Sequence, residues 1–260
     1  MLRTVNATRY VTPFREGGSL PALVEADDLG LYVLKFHGAG QGPLALAAEI
    51  IAGEIGRALG LKVPELVLME VDAALGRNEP DYEIRELLRT STGLNMALDF
   101  LPGSVMFDPA AGDRAGEDLA SAAVWFDAFV TNIDRTARNP NLLYWHKSIY
   151  FIDHGAALYF HHDWKDTARK ARSPFPAIRD HVLLPWAARI PQADRDLRAL
   201  LNRGVLAGIL DQVPDAWMLP EPELPTPAAK RAGYVDYFMD RLDAAPEFVE
   251  EAVRARASLV

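Results

Sequence analysis

The residues whose types and spacing could do chemistry lie near the middle of the chain. Asp134 is followed five positions later by Asn139, and a second aspartate, Asp153, ends an apolar run in the sequence Ile-Asp-His-Gly. In phosphoryl transfer, a first aspartate orients and deprotonates the attacking hydroxyl, while an asparagine and a second aspartate hold magnesium on the nucleotide phosphates. A few oxygen ligands suit Mg²⁺, which keeps much of its shell for water and phosphate. The spacing therefore favours magnesium-dependent phosphoryl transfer from ATP.

The sequence after Asn139 predicts a hairpin. An Asn-Pro-Asn turn signal precedes two short strand-like runs, 142–145 and 149–152. Such a hairpin returns Asn139 and Asp153 to one edge, where a single ion could meet both. The alternative is that Asp134 and its neighbours only cap a turn and pair on the surface, as an isolated Asp-x4-Asn would indicate. The second aspartate at hairpin distance favours the chemical interpretation.

Composition limits the classes of protein to which the chain could belong. It has 260 residues, half of them apolar, enough for one large domain or two lobes around a cleft. The absence of cysteine excludes disulfides, thiolate zinc sites and a cysteine nucleophile. No apolar run is long enough to span a bilayer and no secretion signal is recognisable, so we expect a cytoplasmic protein that does not bind membranes. The net charge of −9 argues against broad nucleic-acid binding.

A lysine and a glutamate in the first half could serve a nucleotide. Lys35 lies near the end of a predicted strand, where a cation can face the α and β phosphates, although lysines at strand ends are often merely solvated. The next helix is predicted to open at Pro43 and to close at Gly60. Glu49 lies on one flank of its apolar stripe and could hold Lys35 in place. Glu54, on the opposite flank, is the rival partner.

Two further segments could contact a nucleotide. Gly17 and Gly18, followed by Ser19, lie between strand-like runs and would allow backbone N–H groups to approach phosphate oxygens. The alternative is an ordinary hairpin turn, and the segment is not a Walker A loop because it lacks the Gly-Lys-Ser/Thr ending. A later predicted strand runs into Pro-Gly and would be the hinge that meets adenine in a two-lobed kinase. The residues at its end are Asp99, Phe100 and Leu101.

The second half reads as mainly helical. A buried helix over 119–130 would deliver the loop that contains Asp134, and further helices are predicted around 197–209 and 234–242. The segment 165–172 is basic and lies where a kinase's substrate-facing loop would be, although charge runs are usually solvated loops. The His-His-Asp at 161–163 has no second cluster at ligand spacing, which argues against a metal there.

These segments, in this order, resemble the HipA-like kinases, a family of the protein kinase and phosphatidylinositol kinase superfamily. The cues are G-G-S-L-P, V-L-K-F, N-I-D-R-x-x-x-N-P-N-L and F-I-D-H-G, within residues 10–160. The resemblance implies an α+β fold of two lobes, with an N-terminal antiparallel sheet and one key helix in the first and mainly helices in the second. We expect a nucleotide-binding lobe over 1–101 and a catalytic lobe over 102–260.

The resemblance also implies a role for each candidate residue. Asp134 would be the base, Asn139 and Asp153 would hold Mg²⁺, and Lys35 would contact the ATP phosphates with Glu49 as its tether. The phosphates would be covered by Gly17, Gly18 and Ser19. Some relatives are bacterial toxins that phosphorylate serine or threonine of proteins, including a glutamyl-tRNA synthetase, and that bind a DNA-binding antitoxin. A protein substrate and an antitoxin-like partner are therefore expected, without direct nucleic-acid binding.

The chain departs from the toxin pattern at several points. His154 replaces the phenylalanine that many protein kinases have after the metal-binding aspartate, and the phosphate loop reads G-G-S instead of G-A-Q-E-K. The chain is expected to be too short for the extra subdomain that the toxin uses with its antitoxin. Some relatives are silenced by phosphorylation of a serine near this loop, and Ser19 is the analogous residue. The catalytic skeleton carries over, whereas the toxin role and target do not.

Three hypotheses follow from the sequence. The first is an active Ser/Thr protein kinase. The second is a kinase whose acceptor is a small molecule such as a sugar, a lipid head group or an antibiotic. The third is a nucleotide-binding regulatory protein that does not turn ATP over. The presence of every polar catalytic position argues against the third hypothesis, but function is decided by the geometry of the site.

Overall fold

The computed structural model describes residues 1–14, 20–40, 42–77 and 79–259. Gly17, Gly18 and Ser19, predicted to cover the phosphates, lie outside the described residues. The strands are β1 (Thr4–Pro13), β2 (Ala22–Ala26), β3 (Leu31–Lys35), β4 (Leu66–Val71), β5 (Gly93–Asp99), β6 (Val105–Met106), β7 (Leu142–Trp145) and β8 (Ser148–Phe151). The helices are α1 (Pro43–Ala58), α2 (Tyr82–Thr90), α3 (Glu117–Phe129), α4 (Thr167–Ala171), α5 (Ile190–Arg198), α6 (Arg203–Leu210), α7 (Pro227–Asp243) and α8 (Ala245–Ala257).

The N-terminal sheet closes into a barrel in the order β1-β2-β3-β5-β4. The expectation of a purely antiparallel sheet is wrong at the closing edge, where Thr4–Asn6 of β1 pairs in parallel with Leu68–Glu70 of β4. The length of β1 explains the closure, because its first residues pair with β4 while its later residues pair with β2. Two register shifts in the β1–β2 pairing, typical of bulges, add the curvature that closing needs.

Helix α1 lies close to the barrel wall because its contacting face has small residues. A Cβ at Gly53 would lie 2.8 Å from Cδ1 of Leu66 in β4, so a larger residue would push the helix away. The helix begins at Pro43, as predicted, and Gly60 follows its end with a positive φ of 82°. Close packing here fixes the distance between residues of α1 and the strands beneath it.

A three-stranded antiparallel sheet, β6-β7-β8, follows the barrel. The predicted hairpin is present as β7 and β8, with His146 and Lys147 both at positive φ in its turn. Helix α3 precedes the hairpin and is mostly buried from Ala120 to its end. The open end of the hairpin therefore lies at the loop that contains Asp134, and its closed end is the turn at 146–147.

The later helices differ from their predicted limits. The stripe over 197–209 is divided between α5 and α6, because Asn202 caps α6 by accepting from the N–H groups of Gly204 and Val205 at 2.9 and 3.1 Å. The basic segment includes the short helix α4. Helix α7 covers the predicted 234–242. No helix of the described ranges is long and apolar enough to cross a membrane.

One hydrophobic cluster connects α1 with the second half of the chain. It includes Ile50 and Ile55 of α1, Phe126 of α3 and Phe248 of α8. A second cluster, with Val24 among its members, fills the barrel. Helix α1 therefore packs into the same core as the helices that follow it. The division into 1–101 and 102–260 stays a prediction.

Candidate active site

Lys35 is the centre of a buried charge cluster. Its ammonium contacts the Glu49 carboxylate of α1 and lies 2.7 Å from Oδ1 of Asp153, which follows β8. The side chain of Glu49 is 1% exposed. Glu54, the rival candidate, pairs instead with Arg57 at 3.3 Å. The structure thus brings one residue each from β3, α1 and the Asp-His-Gly segment to a single point.

Glu49 also holds the backbone after Asp153. Its two carboxylate oxygens accept from the N–H groups of His154 and Gly155, each at 2.9 Å. Asp153 itself has a positive φ of 56°. These bonds stabilise an otherwise unfavourable backbone and direct the Asp153 side chain towards Lys35.

The charges of the buried pair reinforce one another. Burial alone would lower the pKa of the Lys35 ammonium, but the carboxylates of Glu49 and Asp153 outweigh it and raise that pKa. Burial alone would raise the pKa of the Glu49 carboxyl, but Lys35 and the contacts with His154 hold it well below its usual range. Both groups are therefore charged at neutral pH.

Gly155 has no room for a side chain. A Cβ there would lie 3.2 Å from Oε1 of Glu49, an oxygen that accepts hydrogen bonds from Lys35 and from the N–H of Gly155 itself. We expect Gly155→Ala to lower the free energy of unfolding by about 1–3 kcal/mol, because overpacking forces the carboxylate off its partners. Urea unfolding measures this. Gly208→Ala is the control, because a Cβ at this helical position meets nothing within 4 Å. Equal changes in the free energy of unfolding for the two substitutions would contradict the close contact between Gly155 and Glu49.

The second part of the site is the loop before β7. Nδ2 of Asn139 donates to Oδ2 of Asp134 at 2.8 Å, and Nδ2 of Asn141 donates to the same oxygen at 3.2 Å. The N–H of Asp134 donates to Oδ1 of Asn132 at 3.1 Å. Asn141 is predicted only as a turn residue, which its φ of 50° matches, but its side chain also contacts Asp134. Asp134 is thus fixed by three neighbours.

The charge of Asp153, in the Lys35 cluster, affects Asp134 in the loop before β7. Burial raises the pKa of the Asp134 carboxyl, and the negative charge of Asp153 raises it further, against the donors on Asn141 and Asn139. Asp134 with Asn139 and Lys35 with Asp153 thus form two contact groups, and the charge of Asp153 acts on Asp134. A raised pKa next to a second carboxylate is typical of functional sites.

A buried network beneath this loop was not predicted. Oδ2 of Asp127, in α3, lies 2.5 Å from Nε of Arg135 and 2.9 Å from Nε2 of His181, and Oδ1 accepts from Nδ2 of Asn132 at 2.9 Å. Arg135 also donates to the backbone carbonyl of Asn141 at 2.5 Å. The network therefore connects the loop 132–141 to α3, through Asn132 near its start and through Arg135 to Asn141 at its end. The available sequence signal was an aspartate in the apolar part of the helix, with Asn132 and Arg135 close by, whereas His181 lies 54 positions away.

The predicted hinge uses most of its N–H groups within the fold. The N–H of Asp99 donates to the carbonyl of Glu65 at 2.8 Å, and that of Phe100 donates to the carbonyl of Leu31 at 2.9 Å. Within the described ranges, the N–H of Leu101 has no such acceptor. Leu101 is 5% exposed, and the hinge role of the three residues stays a prediction.

The acidic and amide side chains fit a magnesium ion that takes few protein ligands. Across the part of the chain that the structure describes, no cluster of three or more histidine, aspartate or glutamate residues could hold a metal ion alone. Asp153 is 46% exposed at its side chain and gives Oδ1 to Lys35, which leaves its other oxygen for a ligand. Mg²⁺ completes its shell with water and phosphate, so two protein ligands are enough for it, and Asp153 and Asn139 stay the predicted ones.

The chain was compared with known protein families, curated sequences and solved structures. A family model described as HipA-like kinase matches residues 8–251. The chain belongs to the HipA-like kinase family. This confirms the resemblance found in the sequence. No match was found among curated protein sequences.

Solved structures show that this HipA-like kinase has a kinase fold. It is similar to the Helicobacter pylori proinflammatory kinase CtkA, with a TM-score of 0.60 and 13% identity over 100% of this chain and 99% of that one. It is also similar to the Golgi casein kinase with Mn/ADP bound, with a TM-score of 0.50 and 9% identity over 98% of this chain and 73% of that one. The family and the α+β fold together support a kinase activity.

Proposed function

We propose that this HipA-like kinase transfers the γ-phosphoryl group of Mg-ATP to a hydroxyl, with serine or threonine of a protein as the acceptor. The observation that carries the proposal is the contact of Lys35 with both Glu49 and Asp153. A buried lysine between two carboxylates is positioned to meet phosphate oxygens beside the metal-binding aspartate. The same site has Asp134 and Asn139 at hydrogen-bond distance.

In this mechanism, Asp134 orients the acceptor hydroxyl and takes its proton. Oδ2 of Asp134 is held by the amides of Asn139 and Asn141, and this leaves Oδ1 to accept from the hydroxyl. The fixed geometry reduces the entropy cost of bringing the reactants together. The raised pKa of Asp134 makes it a stronger base than an exposed aspartate.

The remaining residues would hold the nucleotide. Asn139 and Asp153 would hold Mg²⁺, which neutralises phosphate charge as transfer proceeds. Lys35 would contact the α and β phosphates, with Glu49 keeping it in place. The proposed nucleotide-binding part is 1–101 and the proposed catalytic part is 102–260. The segment 99–101 is the proposed hinge at the adenine edge.

The basic segment 165–172 gives little support to an acidic acceptor. Lys170 pairs with Asp163 at 2.8 Å, and Arg172 contacts Glu247. Arg169 also pairs with Asp166 at 3.7 Å, so three of the four cations of the segment have a carboxylate partner. Nothing in this segment favours a phosphorylated or acidic acceptor over an ordinary hydroxyl.

The acceptor class is tested by incubating the kinase with labelled ATP and Mg²⁺. One arm contains a protein mixture, and the other contains small hydroxyl compounds such as sugars and aminoglycosides. Label on serine or threonine of protein, identified by mass spectrometry, is expected. If a small compound gains the mass of a phosphoryl group and no protein is labelled, the protein is a small-molecule kinase instead.

Glu49 and Glu54 provide a matched pair of variants. We expect Glu49→Gln to lower kcat/KM for ATP by about 100-fold, because Lys35 and the Asp153 segment lose their common anchor. Glu54→Gln, on the same helix, should leave kcat/KM nearly unchanged, since its partner is Arg57. Steady-state ADP release measures both. Similar losses in the two variants would contradict the tether role of Glu49.

The pH dependence of activity follows from Asp134. The base acts when ionised, so kcat/KM should fall as pH decreases through its pKa, which lies above the ordinary aspartate value. Removing a donor that favours the ionised form should raise this pKa further. Asn141→Gly, which tolerates the positive φ, is therefore expected to move the acid limb of the kcat/KM profile to higher pH. An unchanged limb would contradict the assignment of that limb to Asp134.

A further inference from the structure

A cavity of about 320 Å³ lies at the turn of the β7–β8 hairpin, beside the start of α3. We call it the turn pocket. The lining residues that matter for its chemistry are Lys62, Arg114, Leu119, Tyr144, Lys147 and Ser148. None of the described residues that line it is acidic. Three cations thus converge on one cavity in a chain whose net charge is −9.

The three cations are not neutralised by carboxylates. Among the ion pairs of the described residues, none includes Lys62, Arg114 or Lys147. Lys62 donates instead to Oγ of Ser148 at 2.7 Å. Arg114 donates to backbone carbonyls, one of them that of Asp113 at 2.8 Å. These neutral acceptors leave the positive charge available to an anion.

Three acidic residues, Asp113, Glu117 and Asp118, adjoin the pocket-lining residues in sequence, and Asp118 pairs with Arg189 at 3.1 Å. Oδ2 of Asp113 accepts from the N–H of Asp108 at 2.9 Å. Glu117, the first residue of α3, pairs with Arg189 at 3.2 Å. Glu117 and Asp118 in the first turn of α3 offset the positive end of the helix, so the positive potential of the pocket depends on the three cations.

One wall of the turn pocket is apolar. Tyr144 is 39% exposed, and Leu119 and Ile149 lie beside it. An exposed aromatic ring next to cations can pack against an organic group while the cations bind phosphate. The volume is close to the lower end of the range of about 300–1,000 Å³ for small-molecule sites. A ligand of modest size, with an anionic end and an apolar end, matches these walls.

The turn pocket is separate from the active site. Ser148 begins β8 and Asp153 follows its end. At roughly 3.3 Å per residue, the two residues lie about 15 Å apart along the strand. A ligand in the pocket would therefore contact one end of the hairpin, whereas Asn139 and Asp153 lie at the other end.

We propose that the turn pocket binds a small phosphorylated organic molecule. Lys62, Arg114 and Lys147 bind the phosphate, and Tyr144 packs against the organic part. This site is independent of the proposed phosphoryl transfer and does not require it.

Calorimetric titration with phenyl phosphate, without Mg²⁺, tests the proposal. Four proteins are compared: the wild type, the triple variant Lys62→Gln/Arg114→Gln/Lys147→Gln, a charge-matched control and Asp153→Ala. The control replaces three other exposed cations that have no carboxylate partner in the described ranges. These changes are Arg77→Gln, Lys165→Gln and Arg195→Gln.

We expect one phenyl phosphate per wild-type chain, at least tenfold weaker binding by the triple variant, and unchanged binding by the control and by Asp153→Ala. Binding should weaken with added salt. No binding by the wild type at millimolar ligand, or equal loss in the control, would overturn the site. Wild-type affinity in the triple variant would place the ligand outside the turn pocket and would also overturn the site. A phosphotyrosine peptide that binds tenfold more tightly than phenyl phosphate would overturn the assignment to a small molecule.

Discussion

Asp134→Asn is expected to reduce phosphoryl transfer by about 10²–10⁴-fold while ATP binding is retained. The amide cannot take the proton of the acceptor hydroxyl, although it has nearly the same shape as the carboxylate. The neighbouring Lys35, Glu49 and Asp153 keep their contacts, since none of them is bonded to Asp134. Single-turnover transfer and a separate nucleotide-binding titration measure the two effects.

Asp180→Asn is a suitable control because Asp180 is exposed and lies near Arg179 on the surface. It should change neither transfer nor binding. Full transfer by Asp134→Asn would show that Asp134 is not the base. Loss of ATP binding together with transfer would instead indicate that Asp134 maintains the nucleotide site.

Asp127→Ala is expected to lower the free energy of unfolding by about 3–5 kcal/mol, because it leaves the buried Arg135 guanidinium without its carboxylate. His181 and Asn132 lose the same partner. Asp118→Ala, in the same helix, is the matched control, since the Asp118 side chain is 81% exposed. Urea unfolding at neutral pH measures both variants, and the control should be nearly unchanged. A small effect at Asp127 would contradict the structural role of the network.

The stabilisation by Asp127 should depend on pH with a defined sign. Burial alone would raise the pKa of its carboxyl, but Arg135 and His181 outweigh burial and hold the pKa below the ordinary value. A lowered pKa in the folded state contributes stability that is present above the unfolded pKa of about 3.9 and is lost as pH falls towards the folded pKa. The difference between wild type and Asp127→Ala should therefore shrink below about pH 4. A difference that grows in acid would contradict this.

The local parts of the site could be predicted from the sequence because their signals are local. The hairpin follows from turn residues between apolar runs, and it brings Asn139 and Asp153 to the same edge. Lys35 could be placed on a strand by alternation, and α1 could be given its start by Pro43. These features depend on the spacing of neighbouring residues.

The remaining features depend on contacts between distant segments. Sequence periodicity puts Glu49 and Glu54 on opposite flanks of α1, but only packing against β3 decides that Glu49 meets Lys35. Closure of the barrel depends on the pairing of β1 with β4, which no local pattern encodes. The partners of Asp127 lie 8 and 54 positions away in the chain.

ATP binding and ADP formation in the presence of Mg²⁺, compared between the wild type and Asp153→Ala, test the central claim most directly. Lys35 and Asp153 are 2.7 Å apart, and Asp153 is the proposed metal ligand. We expect magnesium-dependent binding and slow turnover in the wild type, and the loss of both in Asp153→Ala. Binding without turnover in the wild type would favour a regulatory protein. Absence of magnesium-dependent ATP binding in the wild type would contradict the roles of Asp134, Asn139 and Asp153 together.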